Sequence, residues 1–227
     1  MTGASYSRRA VESETAPPVT RAERRGQATA ETRASILAAA RGRLLAEGYA
    51  NLSTRAVAEA AGVPLSQIHY HFGSKQLLIL AVLEAENVKL LDRQRRMYEG
   101  PEPLWRHWEM ACDFLDEDLE SGYVRVLQEM IAAGWSDDTV AAAVRDLLAG
   151  WYRLLADVAR READRMGGLG PFTPEEVSML MGLPFMGAEA AILLGMDERQ
   201  FPARSALRKI GALIRDAERH QPHEEEA

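Results

Sequence analysis

The sequence is nearly devoid of cysteine, because Cys112 is the only one among its 227 residues. A single thiol cannot form a disulfide within one chain, and small proteins of oxidising compartments commonly depend on such bonds. The N-terminal segment also lacks the apolar run that a secretory signal peptide needs. These two absences predict a protein that works in the reducing cytoplasm.

The sequence also lacks β-strand patterns, since no alternating run of β-branched residues is long enough for a strand. Apolar residues make up 47% of the chain and recur at helical spacing instead. This pattern predicts an all-α protein with a sizeable core. Thr29 is expected to cap the first long helix and Gly48 to end it, with a buried stripe formed by Ile36, Ala40 and Leu44.

Catalytic and metal-binding patterns are missing as well. No Ser-His-Asp order, phosphate-binding loop or Cys-His pairing is found, and acidic neighbours should raise the pKa of Cys112. His69 and His71 are two residues apart, so on a helix they point in different directions and make a poor metal site. The acidic run 116–118 is interpreted as a solvated face. We therefore expect no enzymatic activity, no cofactor and no bound metal.

Charge is distributed unevenly along the chain. Residues 20–76 carry eight Lys or Arg against four Glu, a net +4, whereas residues 77–227 carry 17 basic against 28 acidic residues, a net −11. A basic front on an acidic protein favours a nucleic-acid partner for the front alone. Arg21, Arg24 and Arg25 are candidates for additional phosphate contacts.

Residues 53–72 show the pattern of a helix-turn-helix. Ser53 starts a short helix, Gly62 permits a turn with positive φ, and residues 65–72 form a second short helix. Val63 and Ile68 are predicted to fill the small core between the two helices. The second helix carries mostly uncharged polar side chains, which suit base-edge recognition, and Lys75 opens the next helix, where a phosphate can bind.

The segment from Leu52 to Lys75, LSTRAVAEAAGVPLSQIHYHFGSK, resembles the DNA-binding signature of the TetR family of repressors. The resemblance runs from about Thr29 to Leu83. It implies an N-terminal three-helix domain for DNA, followed by a larger helical bundle for ligand binding and dimerisation. The expected divisions are a flexible arm (1–28), the helix-turn-helix domain (29–76), the ligand and dimerisation domain (77–220) and a disordered acidic tail (221–227).

The resemblance also implies roles for individual residues of the helix-turn-helix. Thr54 and Lys75 are expected at phosphates. His69 stands where the family usually has a tyrosine, often on a phosphate, and its imidazole can still donate a hydrogen bond. The residues expected to approach bases are Arg55, Leu65, Ser66, Gln67, Tyr70 and His71.

The body of the chain is rich in tryptophan and methionine, which line adaptable apolar cavities well. Ordinary core packing explains any one of these residues equally well. The resemblance implies a pocket for a small apolar effector, and Trp105, Trp108 and Trp151 are the candidate lining residues.

The last two helices, within residues 175–219, are predicted to form the homodimer interface that the resemblance implies. Thr173, Pro174 and Glu176 make a capping-box pattern at the start of this region, and Pro202 opens the final helix, which we expect to reach about residue 220. Residues 179–196 are apolar apart from one Glu, but glycines and a proline interrupt them, which favours a protein-buried helix over a membrane span.

The sequence therefore predicts a homodimeric repressor that binds a palindromic double-stranded DNA operator and is released by a small apolar effector. An activator, or a regulator that needs no effector, is compatible with the same pattern. A helical scaffold that does not bind DNA is a further alternative.

Overall fold

The computed structural model describes residues 20–219, and every regular element among them is an α-helix, which confirms the all-α prediction. In chain order the described helices are α1 (Arg21–Asn51), α2 (Thr54–Ala61), α3 (Leu65–Phe72), α4 (Lys75–Tyr98), α5 (Leu104–Ser121), α6 (Tyr123–Gly134), α7 (Asp138–Met166), α8 (Pro174–Leu193) and α9 (Ala203–Arg219).

The first helix starts at Arg21 and not at Thr29, so the predicted cap is wrong. Thr29 lies inside α1, where its hydroxyl donates a hydrogen bond to the carbonyl of Arg25 at 2.9 Å and therefore does not compete with the helix. The prediction of a flexible arm is consequently wrong for residues 21–28. The remainder of the arm, residues 1–19, lies outside the described part of the chain.

The core of the N-terminal region follows the apolar stripe of α1. Ile36, Ala40 and Leu44 are fully buried, as their spacing predicts. Full burial of Ile36 and of Leu44 each contributes about 1.5–3 kcal/mol through the hydrophobic effect. Gly48 interrupts the helix with φ 80° and ψ 172°, which confirms it as the residue that breaks α1.

The remaining helices form a bundle joined to this region through α4 and α6. Within the bundle α7 packs along α8 and α5 along α9, while α6 lies between α1 and α7. The capping box of α8 is present, with Thr173 and Glu176 each accepting a hydrogen bond from the other's backbone amide. Helix α9 follows Pro202 directly, and the predicted acidic tail, 221–227, lies outside the described residues.

Cys112 is buried in this bundle, and burial is the largest cause of the rise of its thiol pKa to about 11. The acidic neighbours act in the same direction as the sequence predicts, but they are secondary to desolvation.

The turn between α5 and α6 sits directly against α1. Gly122 has φ 84°, and a Cβ atom there would lie 2.2 Å from the carbonyl oxygen of Leu45. Only a glycine allows the backbone to turn in this conformation and to approach α1 so closely. The contact places α6 against the C-terminal end of α1.

Replacing Gly122 with Ala is expected to lower the free energy of unfolding by about 2–4 kcal/mol, because the methyl group adds backbone strain and a clash with Leu45. In a chain of this size that corresponds to roughly 5–15 °C in Tm, measured by circular dichroism. Gly42→Ala is the matched control, because Gly42 is helical with nothing within 4 Å of its added Cβ, and it should stabilise by about 0.5–1 kcal/mol. Equal melting temperatures for the two variants would contradict the close packing of α6 on α1.

Candidate nucleic-acid interface and internal cavity

The helix-turn-helix forms as the sequence predicts. Ser53 caps α2 by accepting a hydrogen bond from the amide of Ala56, and Gly62 ends it in the left-handed conformation with φ 67° and ψ 31°. Gly62 and Val63 donate backbone hydrogen bonds to the carbonyls of Glu59 and Ala58. The turn is therefore fixed by its own backbone, which holds α3 at a defined angle to α2.

Helix α3 is anchored by its inner face and presents its outer face to solvent. Ile68 is 1% exposed and Phe72 is 7% exposed, so both are core residues. On the outer face Ser66, His69 and Tyr70 are exposed, and Tyr70 is 76% exposed although it is a large aromatic residue. Three of the predicted base-contacting residues lie half-buried: Leu65, Gln67 and His71.

His69 has a specific local partner. Its Nδ1 lies 3.2 Å from the carbonyl oxygen of Gly73. Because a carbonyl only accepts, this contact needs the proton on Nδ1, which leaves Nε2 of a neutral ring as an acceptor. With the ring held in this tautomer, Nε2 cannot donate a hydrogen bond to a phosphate.

The residues that flank α3 differ in solvent exposure and in the contacts that their side chains make. Thr54 is half-buried and Arg55 exposed in the first turn of α2. The Lys75 ammonium lies 3.4 Å from the carbonyl oxygen of Ala50 and 4.9 Å from the centre of the Tyr49 ring. Lys75 is thus held at the end of α1, beside the N-terminus of α4.

Part of the basic character of this region is neutralised internally. Arg41 pairs with Glu86 at 2.8 Å and Arg43 with Glu47 at 3.0 Å. The Arg33 guanidinium lies over the Phe72 ring, with its central carbon 5.1 Å from the ring centre. The exposed arginines of the region are Arg21, Arg24, Arg25, Arg33, Arg41 and Arg55.

A cavity lies in the bundle between α4, α5, α6, α7 and α8. Trp108 and Trp151 line it, where the sequence predicted them. Trp105 does not line it, and the Arg215 guanidinium of α9 lies 5.5 Å from the Trp105 ring centre.

The polar groups of the cavity wall bond mainly to one another. The indole nitrogen of Trp151 donates to Gln94 at 2.8 Å, and the hydroxyl of Tyr123 lies 3.4 Å from the amide oxygen of Asn87. The rest of the wall is mostly apolar or aromatic, with Tyr98, Phe114 and Phe185 among its residues. Such a wall suits a ligand that is largely apolar.

Two carboxylates interrupt the apolar wall. Asp118 accepts a hydrogen bond from Arg93 at 2.5 Å, although the acidic run that contains it was interpreted as a solvated face, which is wrong for Asp118. Glu189 accepts from the amide of Gln128 at 2.7 Å and is 8% exposed. Burial raises the pKa of Glu189 to about 7.

Helix α6 joins the cavity to the helix-turn-helix. The Arg125 guanidinium donates to the carbonyl of Leu45 at 2.7 Å, and Glu129 accepts from the amide of Tyr49 at 2.7 Å. Both partners belong to the end of α1, and Gln128, which holds Glu189, lies between them on the same helix.

Sequence reasoning missed Arg125, Glu129 and Glu189. Glu189 did carry a signal, because it is the one ionisable residue in the apolar stretch 179–196. Arg125 and Glu129 carried none, since charged residues on a predicted helix are usually solvated. Among residues 20–219 no cluster of three or more potential metal ligands is present.

Helices α8 and α9 leave an apolar face uncovered. Leu180 and Leu183 are 55% and 52% exposed, and Leu213 is 69% exposed. By length and composition α8 is also apolar enough to cross a membrane, with 28% of its apolar window buried.

Comparison with known proteins agrees with this architecture. Residues 36–82 match the family model for bacterial regulatory proteins of the tetR family. No curated protein matches the chain in sequence. The matched segment contains the second half of α1, the whole helix-turn-helix and the start of α4.

Solved structures share the fold over most of the chain. A putative TetR-family regulator from Rhodococcus sp. superposes with a TM-score of 0.64 at 22% identity, covering 82% of this chain and 98% of that one. A putative transcriptional regulator from Saccharomonospora viridis, solved with choline, superposes with a TM-score of 0.64 at 19% identity. The match covers 84% of this chain and 97% of that one. FadR from Bacillus subtilis, solved with stearoyl-CoA, superposes with a TM-score of 0.64 at 10% identity. The match covers 80% of this chain and 96% of that one.

The helix-turn-helix region of this chain is thus similar to that of the bacterial regulatory proteins of the tetR family, and the described chain shares its overall fold with solved TetR-family structures.

Proposed function

We propose that the protein is a cytoplasmic, homodimeric transcriptional repressor that binds a palindromic DNA operator and releases it when a small, largely apolar effector enters the cavity. The observation that carries the proposal is the outer face of α3. It is uncharged and rich in hydrogen-bonding groups, and it is held rigidly by the buried Ile68 and Phe72. A surface of this kind reads bases, while charged neighbours supply phosphate contacts.

In this proposal α3 enters the major groove. Tyr70 is highly exposed and can contact base edges, and Gln67 can form a bidentate pair with adenine. Thr54 and Lys75 bind phosphates on either side, the latter after leaving its weak contact with Ala50. The other base contacts are assigned to Arg55, Leu65, Ser66 and His71, and His69 is assigned to the DNA backbone.

The dimer is proposed to form through α8 and α9. Burying Leu180, Leu183 and Leu213 against a second copy removes apolar surface that is otherwise exposed to water. A two-fold axis between the copies would place two α3 helices in successive major grooves.

Effector control is proposed to act through α6. A ligand in the cavity touches the helix that holds the end of α1, so a displacement of α6 changes the position of the helix-turn-helix. A difference of about 1–3 kcal/mol in ligand affinity between the two states is enough for substantial regulation.

Gln67→Ala and Tyr70→Ala are each expected to weaken binding to the preferred operator by about 1–3 kcal/mol, roughly 5- to 150-fold. The preferred sequence is obtained by selection from randomised duplex DNA, and affinity is measured by fluorescence anisotropy. Arg145→Ala, an exposed arginine on α7, is the control and should bind as the wild type does. Unchanged affinity in both α3 variants would overturn the assignment of α3 to the bases.

Replacing both Arg24 and Arg25 with Ala is expected to weaken binding equally to operator and to unrelated DNA. If each arginine contacts one phosphate, the slope of log affinity against log salt concentration should decrease by about two. A salt dependence identical to that of the wild type would show that the start of α1 does not contact DNA.

Leu183→Glu and Leu213→Glu are expected to convert the dimer to monomers, because each places a charge in the proposed interface. Sedimentation velocity measures the change. Val88→Glu on α4 introduces the same charge at another exposed apolar position, 57% exposed, and should leave the dimer intact. If both interface variants remain dimeric, the two copies pair through another surface. If the wild type is monomeric but binds lipid vesicles, the apolar face of α8 binds a membrane instead of a second copy.

A further inference from the structure

Glu189 is a buried carboxylate that faces the cavity without a cationic partner. Within residues 20–219, its hydrogen bond comes from the neutral amide of Gln128, and no lysine or arginine compensates its charge. A buried ionised carboxylate destabilises a fold unless an opposite charge accompanies it. The protein retains one here in a wall that is otherwise mostly apolar.

The other groups near Glu189 do not supply the missing positive charge. Asp118 on α5 adds a negative charge near Glu189. The guanidinium of Arg93 lies 2.5 Å from the Asp118 carboxylate and neutralises that charge. Tyr123 on α6 and Tyr152 on α7 are neutral phenols; burial is the main cause of the raised pKa of each, and proximity to Glu189 adds to it. The cavity therefore holds one carboxylate more than its cations balance.

The aromatic residues of the wall provide a second feature that suits a cation. Trp108 and Trp151 both line the cavity, and Trp108 packs against Phe185 of the same wall with ring centres 5.1 Å apart. The faces of such rings attract ammonium groups, and tryptophan does so most strongly. An apolar body fits the same wall through the hydrophobic effect.

We propose that the cavity binds an amphiphilic organic cation, whose protonated amine or quaternary ammonium group pairs with Glu189 while its apolar part packs among the aromatic side chains. The inference rests on the proposed function and narrows its effector from an apolar molecule to a lipophilic cation. A ligand ending in a carboxylate or phosphate would bring a second negative charge beside Glu189. A neutral ligand would leave Glu189 uncompensated whenever it is ionised.

Protonation of Glu189 competes with such a ligand. With a pKa of about 7, the carboxyl is mostly neutral at pH 6 and mostly ionised at pH 8. A cation prefers the ionised form, so its apparent affinity should rise about tenfold from pH 6 to pH 8. Proton uptake by Glu189 at low pH thus releases the ligand.

The test uses three probes that each have a phenyl ring on a four-carbon chain and differ in the terminal group: 4-phenylbutylamine, 4-phenylbutanol and 4-phenylbutyrate. Binding to the full-length protein is measured at pH 8 by calorimetry and by the fluorescence of the cavity tryptophans. We expect the amine to bind at least about tenfold more tightly than the alcohol, and the carboxylate to bind most weakly. Glu189→Gln should abolish the preference for the amine, whereas Glu84→Gln, at an exposed position on α4, should preserve it.

A second measurement verifies that the Glu189→Gln variant folds and that Glu189 is desolvated. Because the folded-state pKa lies above the ordinary value of 4.5, Glu189 contributes stability at low pH that is lost as the pH rises through about 7. The Tm of the wild type should therefore fall relative to that of the variant between pH 5.5 and pH 8.5. A constant difference in Tm would contradict an unpaired buried carboxylate.

The inference fails if the alcohol or the carboxylate binds as tightly as the amine, or if Glu189→Gln keeps the preference. Stronger binding of the alcohol at pH 6 than at pH 8 would identify protonated Glu189 as a donor to neutral ligands. The proposed function fails separately, if the ligand-free protein shows no sequence-dependent binding to selected DNA. Release of that DNA by the amine from the wild type, but not from the Glu189→Gln variant, supports both.

Discussion

The free backbone groups at the end of α1 are satisfied by side chains of α6, and the relation between the two halves of the molecule depends on this joint. Gly48 breaks α1, which leaves the carbonyl of Leu45 and the amide of Tyr49 without helical partners. Arg125 and Glu129 supply them at 2.7 Å each. These hydrogen bonds involve charged groups and are directional, so they set where the helix-turn-helix sits relative to the bundle.

The same helix reaches the cavity, because Gln128 holds Glu189 on α8. One turn of α6 therefore contacts both the end of the DNA-binding region and the wall of the cavity. This arrangement gives a short physical route between the two sites. A ligand that repositions Glu189 acts on a helix whose neighbouring side chains hold α1, without the need for a long chain of intermediate contacts.

Helix α8 has two faces with different roles. Its inner face contributes Phe185, Ala188 and Glu189 to the core and cavity, while Leu180 and Leu183 point outward. The outward leucines make the helix apolar on nearly all sides, which is why its composition resembles a membrane span. The proposed pairing with a second copy would account for both faces, since it would cover the leucines and leave Glu189 inside the protein.

The sequence by itself determined the helix-turn-helix, because its signals act over a few residues: the Ser53 cap, the positive φ of Gly62, and the spacing of Ile68 and Phe72. The start of α1 could not be predicted in the same way, since Thr29 bonds equally well inside a helix.

Only the tertiary structure decided the cavity. Trp105 and Trp108 are one turn apart on α5 and both contact α9, through Arg215 and the carbonyl of Leu207, but Trp108 also packs against Phe185 in the cavity wall. Gln128 and Glu189 are 61 residues apart and meet only because α6 packs against α8. Local patterns specify turns and helix faces, whereas burial and charge pairing depend on which distant helices pack together.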